Sequence, residues 1–191
     1  MQFKTNRVQI LFSIYLVNQA AFYVFAPLYA LFARSLNASL MTIGLTWSAY
    51  SLVAAISIFG FSKIPAGRPQ GNYFKLSLVV YLIGDLLLLA VNSYSFLFIV
   101  LMINAIGTGL YFTSYQKLVS SSHSIHAADK GWTLINSYTM LAAAIGSAIG
   151  GFTLAVGGFH ALFIAMVIVE GLATAAGIFL INSPVKSTLE E

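Results

Sequence analysis

The chain has 191 residues, of which 59% are hydrophobic and 7% are charged, and its mean hydropathy is +0.89. Because an ordinary soluble domain carries about 25% charged residues, this composition excludes a water-soluble fold and predicts a protein embedded in a lipid bilayer. The net charge of +4 is then a matter of membrane orientation rather than of nucleic-acid binding, and the lack of cysteine excludes disulfide frameworks and thiolate metal sites.

Six apolar stretches follow one another along the chain, and each is close to the roughly 20 residues that a helix needs to cross hydrocarbon. They comprise residues 8–33, 40–62, 74–91, 95–116, 132–156 and 160–182. The connections are short; the first ends in Ser39, a helix-capping residue type, and the last is only 157–159. We therefore expect an all-α membrane protein in which residues 1–191 form a single domain of six transmembrane helices.

Lysine and arginine are distributed unevenly over the connections. In a chain with six crossings, eight of the nine cations fall on one side of the membrane and only Arg34 falls on the other. The eight are Lys4, Arg7, Lys63, Arg68, Lys75, Lys117, Lys130 and Lys186. Because short cytoplasmic loops carry the excess of positive residues, both termini are predicted to be cytoplasmic, with the helices in the plasma (inner) membrane.

Helices two and five carry similar stretches. In helix two, Trp47 and Tyr50 precede an alanine-rich segment, and around helix five Trp132 and Tyr138 precede another. This similarity predicts that helices one to three are repeated as helices four to six. Since three crossings is an odd number, the second copy enters from the opposite face, which gives two inverted three-helix repeats of the kind that secondary transporters use. Chance similarity between two alanine-rich apolar helices is the alternative.

Three glycine-containing motifs occur in order on these helices. The loop after helix two has Gly60, Gly67 and Arg68 in GFSKIPAGRP, helix four has INAIGTG, and helix five has Gly146, Gly150 and Gly151 in AAAIGSAIGG. In these motifs, and over essentially its whole length, the chain resembles the amino-terminal half of a major facilitator superfamily transporter. It departs from the family's loop, which has an acid and a basic residue where this chain has Ile64 and Pro65.

The resemblance implies a secondary transporter that moves a solute by alternating access, with export preferred from the helix-five motif. Helix four lacks the arginine that the family associates with proton coupling, so that mechanism is not carried over. One six-helix half lacks a wall of the family's transport path, and we therefore expect a homodimer or a second six-helix half as partner. The chain is alternatively the amino-terminal fragment of a longer transporter, or a non-transporting accessory or assembly subunit.

Polar and aromatic residues recur at spacings of three and four on helices one and four, the helices that line the central cavity in the family. We expect them, with flanking residues of helices two and five, to contact the solute; they are Tyr15, Asn18, Gln19, Tyr23, Trp47, Tyr50, Asn104, Thr108, Tyr111 and Asn136. Amides, phenols and an indole without an ionised group suit a neutral or amphipathic organic solute. The alternative is that these groups only form hydrogen bonds between helices.

Two acids, Asp85 on helix three and Glu170 on helix six, lie inside predicted hydrocarbon. An ionised carboxylate costs at least about 2.5 kcal/mol there, which favours the protonated form and makes proton coupling conceivable beside a purely structural role. His123 and His126 have ligand-like spacing, but their loop offers no helix-borne glutamate between them. Without a phosphate-binding loop or nucleophile elbow, the sequence predicts no enzyme, no cofactor and no metal site.

Overall fold

The computed structural model describes residues 2–65, 68–120 and 128–181, with side chains for 9–65, 68–120 and 135–181, and contains no strand within those ranges. Its helices are α1 (Gln2–Phe25), a 3-10 helix (Ala26–Leu28), α2 (Tyr29–Ser35), α3 (Leu40–Ser62), α4 (Gln70–Leu88), α5 (Tyr94–Ser120) and α6 (Ala128–Leu180). Five segments are long and apolar enough to cross a membrane: Gln9–Ser35, Leu40–Ser62, Gln70–Leu88, Tyr94–Ser120 and Ile135–Leu180. The prediction of an all-helical membrane fold is confirmed.

The last segment is too long for one crossing. Helix α6 has 53 residues, which corresponds to about 80 Å, more than twice the thickness of the hydrocarbon core. It is interrupted at Gly158, whose φ of 68° and ψ of −166° are not helical. Glycine adopts a positive φ without the steric cost of a side chain. The break lies within the connection predicted at 157–159, and we call the parts before and after Gly158 the first and second halves of α6.

The two halves of α6 run in opposite directions along α1. The first half is parallel to α1, because the residue numbers of the contacting pairs rise on both helices: Tyr15–Thr139, Ala20–Gly146 and Val24–Gly150. The second half is antiparallel to α1, because the residue numbers rise on α6 and fall on α1 from the pair Phe25–Phe163 to the pair Asn18–Glu170. The chain therefore reverses near Gly158.

Helix boundaries differ from the predicted ones where side chains and proline modify the ends. Predicted helix one is α1, the 3-10 helix and α2 in succession, because Pro27 provides no backbone N–H for regular α-helical bonding. The predicted cap at Ser39 is confirmed, since its Oγ accepts a bond of 3.1 Å from the backbone N–H of Thr42. Helix α4 begins at Gln70, earlier than predicted, and the Gln70 amide donates to the Pro65 carbonyl over 2.9 Å.

Two apolar clusters fill the bundle, one towards each end. The first is centred on aromatic residues of α1, α2 and the second half of α6, among them Phe25, Phe32 and Phe163. The second contains Phe74 and Tyr115 together with apolar residues of α1, α5 and α6. Three buried polar residues lie between the two clusters along their helices, namely Asn18, Asp85 and Glu170, and Asn104 lies beside Ala105, the last residue of the first cluster on α5. The fold therefore places a polar layer in the middle of the bundle.

Small residues allow the first half of α6 to lie close to α1. A Cβ atom added at Gly146 would collide with the backbone oxygen of Ala20, and one at Gly150 with that of Val24. Gly151 faces open space instead. Outside these packed faces, large apolar side chains such as those of Phe59, Phe152 and Phe179 are exposed, as expected for surfaces in contact with lipid.

Candidate functional site

A cavity of about 220 Å³ lies in the polar layer. Its walls come from α1, α3, α4, α5 and the second half of α6. Six polar residues line it: Asn18, Gln19, Asp85, Asn104, Thr108 and Glu170. Five aromatic residues complete most of its wall: Phe22, Phe25, Trp47, Tyr50 and Tyr81. A small cavity with a few convergent polar groups among apolar walls is the usual form of a solute-binding site.

Asn18 and Glu170 form the best-defined polar contact in the cavity. The Asn18 Nδ2 donates to both carboxylate oxygens of Glu170, over 2.8 Å to Oε2 and 3.0 Å to Oε1. Only 4% of Asn18 and 1% of Glu170 is exposed. The amide therefore fixes the orientation of a fully buried acid and supplies it with hydrogen-bond donors.

Asn104 and Asp85 form a second amide and acid pair on the neighbouring helices. The Asn104 side chain packs directly over Gly84, where a Cβ atom would collide with the amide, and Asp85, the next residue on α4, lines the same cavity as Asn104. Both residues are buried, with exposures of 7% and 3%. The Oδ1 of Asn104 has no hydrogen-bond partner among the described residues. This pair is thus less completely bonded than Asn18 and Glu170.

A cluster of hydroxyl groups ties three helices together beside these acids. Thr108 donates through Oγ1 to the backbone carbonyl of Asn104 over 2.9 Å. Its Oγ1 lies 2.8 Å from the hydroxyl oxygens of Tyr50 on α3 and Tyr81 on α4. Since the single Thr108 proton is used on α5 itself, both phenols must donate to Thr108. The cluster connects α3, α4 and α5 at the cavity wall. Its three hydroxyl protons are all donated within the cluster or to the Asn104 carbonyl, so none is left for a ligand.

The aromatic wall is formed mainly by Trp47 and Tyr50. Their rings stack with centroids 5.3 Å apart, and the ring centroid of Tyr29 lies 5.4 Å from that of Trp47. No Lys or Arg belongs to the described lining of this cavity. The site therefore combines two acids with π-faces and contains no fixed positive charge.

The structure brings most of the predicted site residues together. Six of the ten proposed solute contacts line the cavity, namely Asn18, Gln19, Trp47, Tyr50, Asn104 and Thr108. Asp85 and Glu170, for which a purely structural role was an alternative to proton coupling, line it as well. The lining therefore does contain ionisable groups, and the expectation of purely uncharged walls needs revision.

Four predicted contacts lie outside this cavity. Tyr15 and Tyr111 belong to the second apolar cluster, where Tyr15 stacks on Tyr115 at 4.7 Å and bonds Thr139. Tyr23 packs edge-on against Phe22, and Asn136 is exposed on the first half of α6. Tyr15 and Tyr111 also face the interior, but they lie further along α1 and α5, where the second apolar cluster fills the bundle.

Several lining residues were not among the predicted contacts. Tyr81, Phe25, Leu101 and Met166 contribute to the wall. Tyr81 lies four residues before Asp85, on the same face of α4, and this spacing was the available signal. The apolar residues carry no signal that distinguishes a cavity wall from ordinary core.

None of the glycines of the helix-five motif lines the cavity. Gly146 and Gly150 contact α1, whereas Gly151, Gly60 and Arg68 are exposed. Gly67, like His123 and His126, lies outside the described residues.

Near this loop, Lys117 on α5 reaches the end of α3. Its Nζ donates to the carbonyls of Phe61, Ser62 and Ile64 over 3.3, 3.2 and 2.7 Å. A cation at a helix carboxyl terminus compensates the unpaired carbonyls and the helix dipole.

Comparison with known proteins gives one result that bears on this architecture. The family model of the Major Facilitator Superfamily matches residues 11–191. No curated protein matches the chain.

Proposed function

Because the chain belongs to the Major Facilitator Superfamily, a family of membrane transporters, we propose that it moves a small amphipathic organic solute by secondary active transport. The mechanism is alternating access, with export as the preferred direction. The observation that carries this proposal is the cavity at the centre of the polar layer, lined by five helices and bordered by residues of both apolar clusters. Its amides and aromatic rings suit a solute with one polar and one apolar end.

We propose further that the fold consists of six crossings in two inverted repeats, with cytoplasmic termini in the plasma membrane. The reversal at Gly158 supports the sixth crossing. The contacts support the repeat: α1 packs along both halves of α6, and α5 packs along both α3 and α4. Exchanging helices one to three with helices four to six converts the first set of contacts into the second. The same exchange converts the pair Asn18–Glu170 into Asn104–Asp85.

A partner half is part of the proposal. Asn136 is exposed within an apolar segment. Met140, one turn further along the helix, has 66% of its surface exposed. A polar side chain in hydrocarbon is expected to face protein or a water-filled space. We therefore infer that the first half of α6 faces a second six-helix unit, supplied by another copy of this chain or by another polypeptide segment. A chain that only holds such a partner, without transport, is the competing function.

Reconstitution tests the proposal directly. The purified chain in proteoliposomes should catalyse saturable counterflow of at least one member of a panel of aryl alcohols, aryl amines and aryl amides. Asn104→Leu, which removes the amide from the cavity, should reduce this flux at least about tenfold, since an interaction of about 1.4 kcal/mol corresponds to that factor. Asn92→Leu changes an exposed connection residue and should leave the flux unchanged.

If no member of the panel exchanges while the protein remains folded and assembled, the accessory-subunit function replaces transport.

A further inference from the structure

We propose that the cavity selects an organic ammonium ion, that is, a protonated amine attached to an apolar or aromatic body. The inference rests on the proposed function and names the substrate class of the same site. The juxtaposition that carries it is Asp85 and Glu170 in one cavity whose other walls are amides and aromatic rings.

Hydrogen-bond accounting shows which kind of group the cavity lacks. The Asn18 Nδ2 is used on Glu170, the Thr108 hydroxyl on the Asn104 carbonyl, and the Tyr81 hydroxyl on Thr108. Acceptor capacity remains on the carboxylate groups. Gln19, half-buried in the wall, brings both a donor and an acceptor and leaves the balance unchanged. A ligand that donates hydrogen bonds to these carboxylates therefore suits the cavity.

Charge leads to the same class of ligand. Two acids line the cavity, and no Lys or Arg is found among its described lining residues. A buried ionised carboxylate without a counter-ion is unfavourable, so the site favours either protons or a cation. An anionic solute would meet two acids and no positive partner. An ammonium group satisfies both the charge and the missing donors, because it carries one positive charge and only N–H donors.

The aromatic walls fit the remaining part of such a molecule. Trp47 and Tyr50 stack on each other at 5.3 Å and border the cavity with Phe22, Phe25 and Tyr81. Aromatic faces attract cations and also accept apolar groups. The volume of about 220 Å³ is below the usual range for drug-sized ligands, so we expect a compact amine with a single ring.

The two acids are expected to contribute unequally. Glu170 already receives two hydrogen bonds from Asn18, whereas the Asn104 amide beside Asp85 is packed against Gly84. We infer that the ammonium group binds at the Asp85 carboxylate, while Glu170 supplies negative charge from across the cavity. Asp85 is then the main determinant of specificity.

Three probes of the same shape and different charge test this inference on the intact chain. Trp132→Phe leaves Trp47 as the single tryptophan, since the chain has two, and Trp47 borders the cavity. We expect saturable quenching of Trp47 fluorescence by 2-phenylethylamine. Binding of 2-phenylethanol should be at least about 30-fold weaker, the loss expected for removing one partner of a buried charge pair. 3-Phenylpropanoate should not bind.

Equal affinity for the amine and the alcohol overturns the inference, and so does the lack of any saturable response to the amine. Because these measurements need no cavity variant, they do not depend on whether such a variant folds. Counterflow of the alcohol without binding of the amine would refute the ammonium site and leave the transporter proposal intact. Saturable binding of the amine without flux of any solute would support the ammonium site and refute the transporter proposal.

Isosteric variants then locate the site. Asp85→Asn and Asn104→Leu should weaken amine binding at least about 30-fold and about tenfold respectively, and Asp85→Asn should have the larger effect. Asn92→Leu is the matched control for Asn104→Leu, because Asn92 is exposed in a connection. Unchanged amine affinity in Asp85→Asn, with wild-type thermal stability, contradicts the assigned position.

Discussion

Asn18 and Asn104 both line the cavity, yet their surroundings differ. Asn18 uses its amide N–H groups on Glu170, while Asn104 lies over Gly84 with its Oδ1 unpartnered among the described residues. The two amides of the proposed repeat thus differ in hydrogen-bonding state. We therefore expect the two acids to have different roles, solute recognition for Asp85 and a second role for Glu170.

Glu170→Gln tests whether that second role is proton coupling. The substitution keeps the size of the side chain and an acceptor for Asn18, but it removes a group that exchanges a proton. We expect solute flux driven by a pH jump to fall at least about tenfold. The reason is that a positioned proton-transfer group typically contributes a factor of about 100 or more. Counterflow, which requires no gradient, should persist in the same vesicles. Unchanged pH-driven flux would assign Glu170 to packing alone.

At the scale of helices, the first half of α6 depends on two glycines for its contact with α1. Gly146→Ala adds a Cβ atom where the backbone oxygen of Ala20 lies, and we expect a loss of about 1–3 kcal/mol of stability from overpacking. Gly151→Ala is the matched control because its Cβ atom would meet open space. Both substitutions bring the same gain in helix propensity, so the difference in thermal unfolding temperature in detergent isolates the collision. Equal stability of the two variants contradicts the close approach.

Lys117 joins the ends of α3 and α5 at the loop where the family's acid is missing. Lys117→Met keeps the apolar stem and removes three bonds to the carbonyls of Phe61, Ser62 and Ile64. We expect about 1–2 kcal/mol of destabilisation, together with faster amide exchange in the last turn of α3. Lys63→Met, at an exposed residue that makes none of these three bonds, should leave exchange in that turn slow. Equal exchange in the two variants would mean that Lys117 does not fasten the helices.

The sequence predicted elements better than their mutual orientation. Hydrophobic stretches, the cap at Ser39 and the break at Gly158 are local signals, and all three occur in the structure. The extension of α5 to Ser120 was missed because hydropathy falls at Lys117, whose bonds to α3 are tertiary.

The candidate site shows the same division. The amides of helices one and four could be predicted to face inward, whereas the close approach of Asn104 to Gly84, the residue before Asp85, could not. That approach is set by packing between helices, which periodicity along one helix does not report.

At the scale of the whole molecule, the exposed Asn136 on the first half of α6 predicts a partner. If two copies face each other across this surface, Asn136→Cys should cross-link to itself through a short bismaleimide in native membranes, and the purified chain should have twice its monomer mass by light scattering. Phe179→Cys is a control, since Phe179 is exposed on the second half of α6, and it should not cross-link. A monomeric mass without cross-linking would leave a different polypeptide as the second half.

Membrane orientation can be tested in the same cysteine-free background. Ser93 is exposed in the connection before α5, and Ser120 is exposed at the end of that helix. The 27 residues of α5 span about 40 Å, enough to cross the bilayer, and so the two positions should lie on opposite faces. Because most cations lie on the side of Ser120, we expect an impermeant maleimide to label Ser93→Cys in intact cells and Ser120→Cys only after permeabilisation. Labelling of both positions from the same side would contradict the crossing by α5. It would also contradict the proposed inverted repeat, which relates the pair Asn18–Glu170 to the pair Asn104–Asp85.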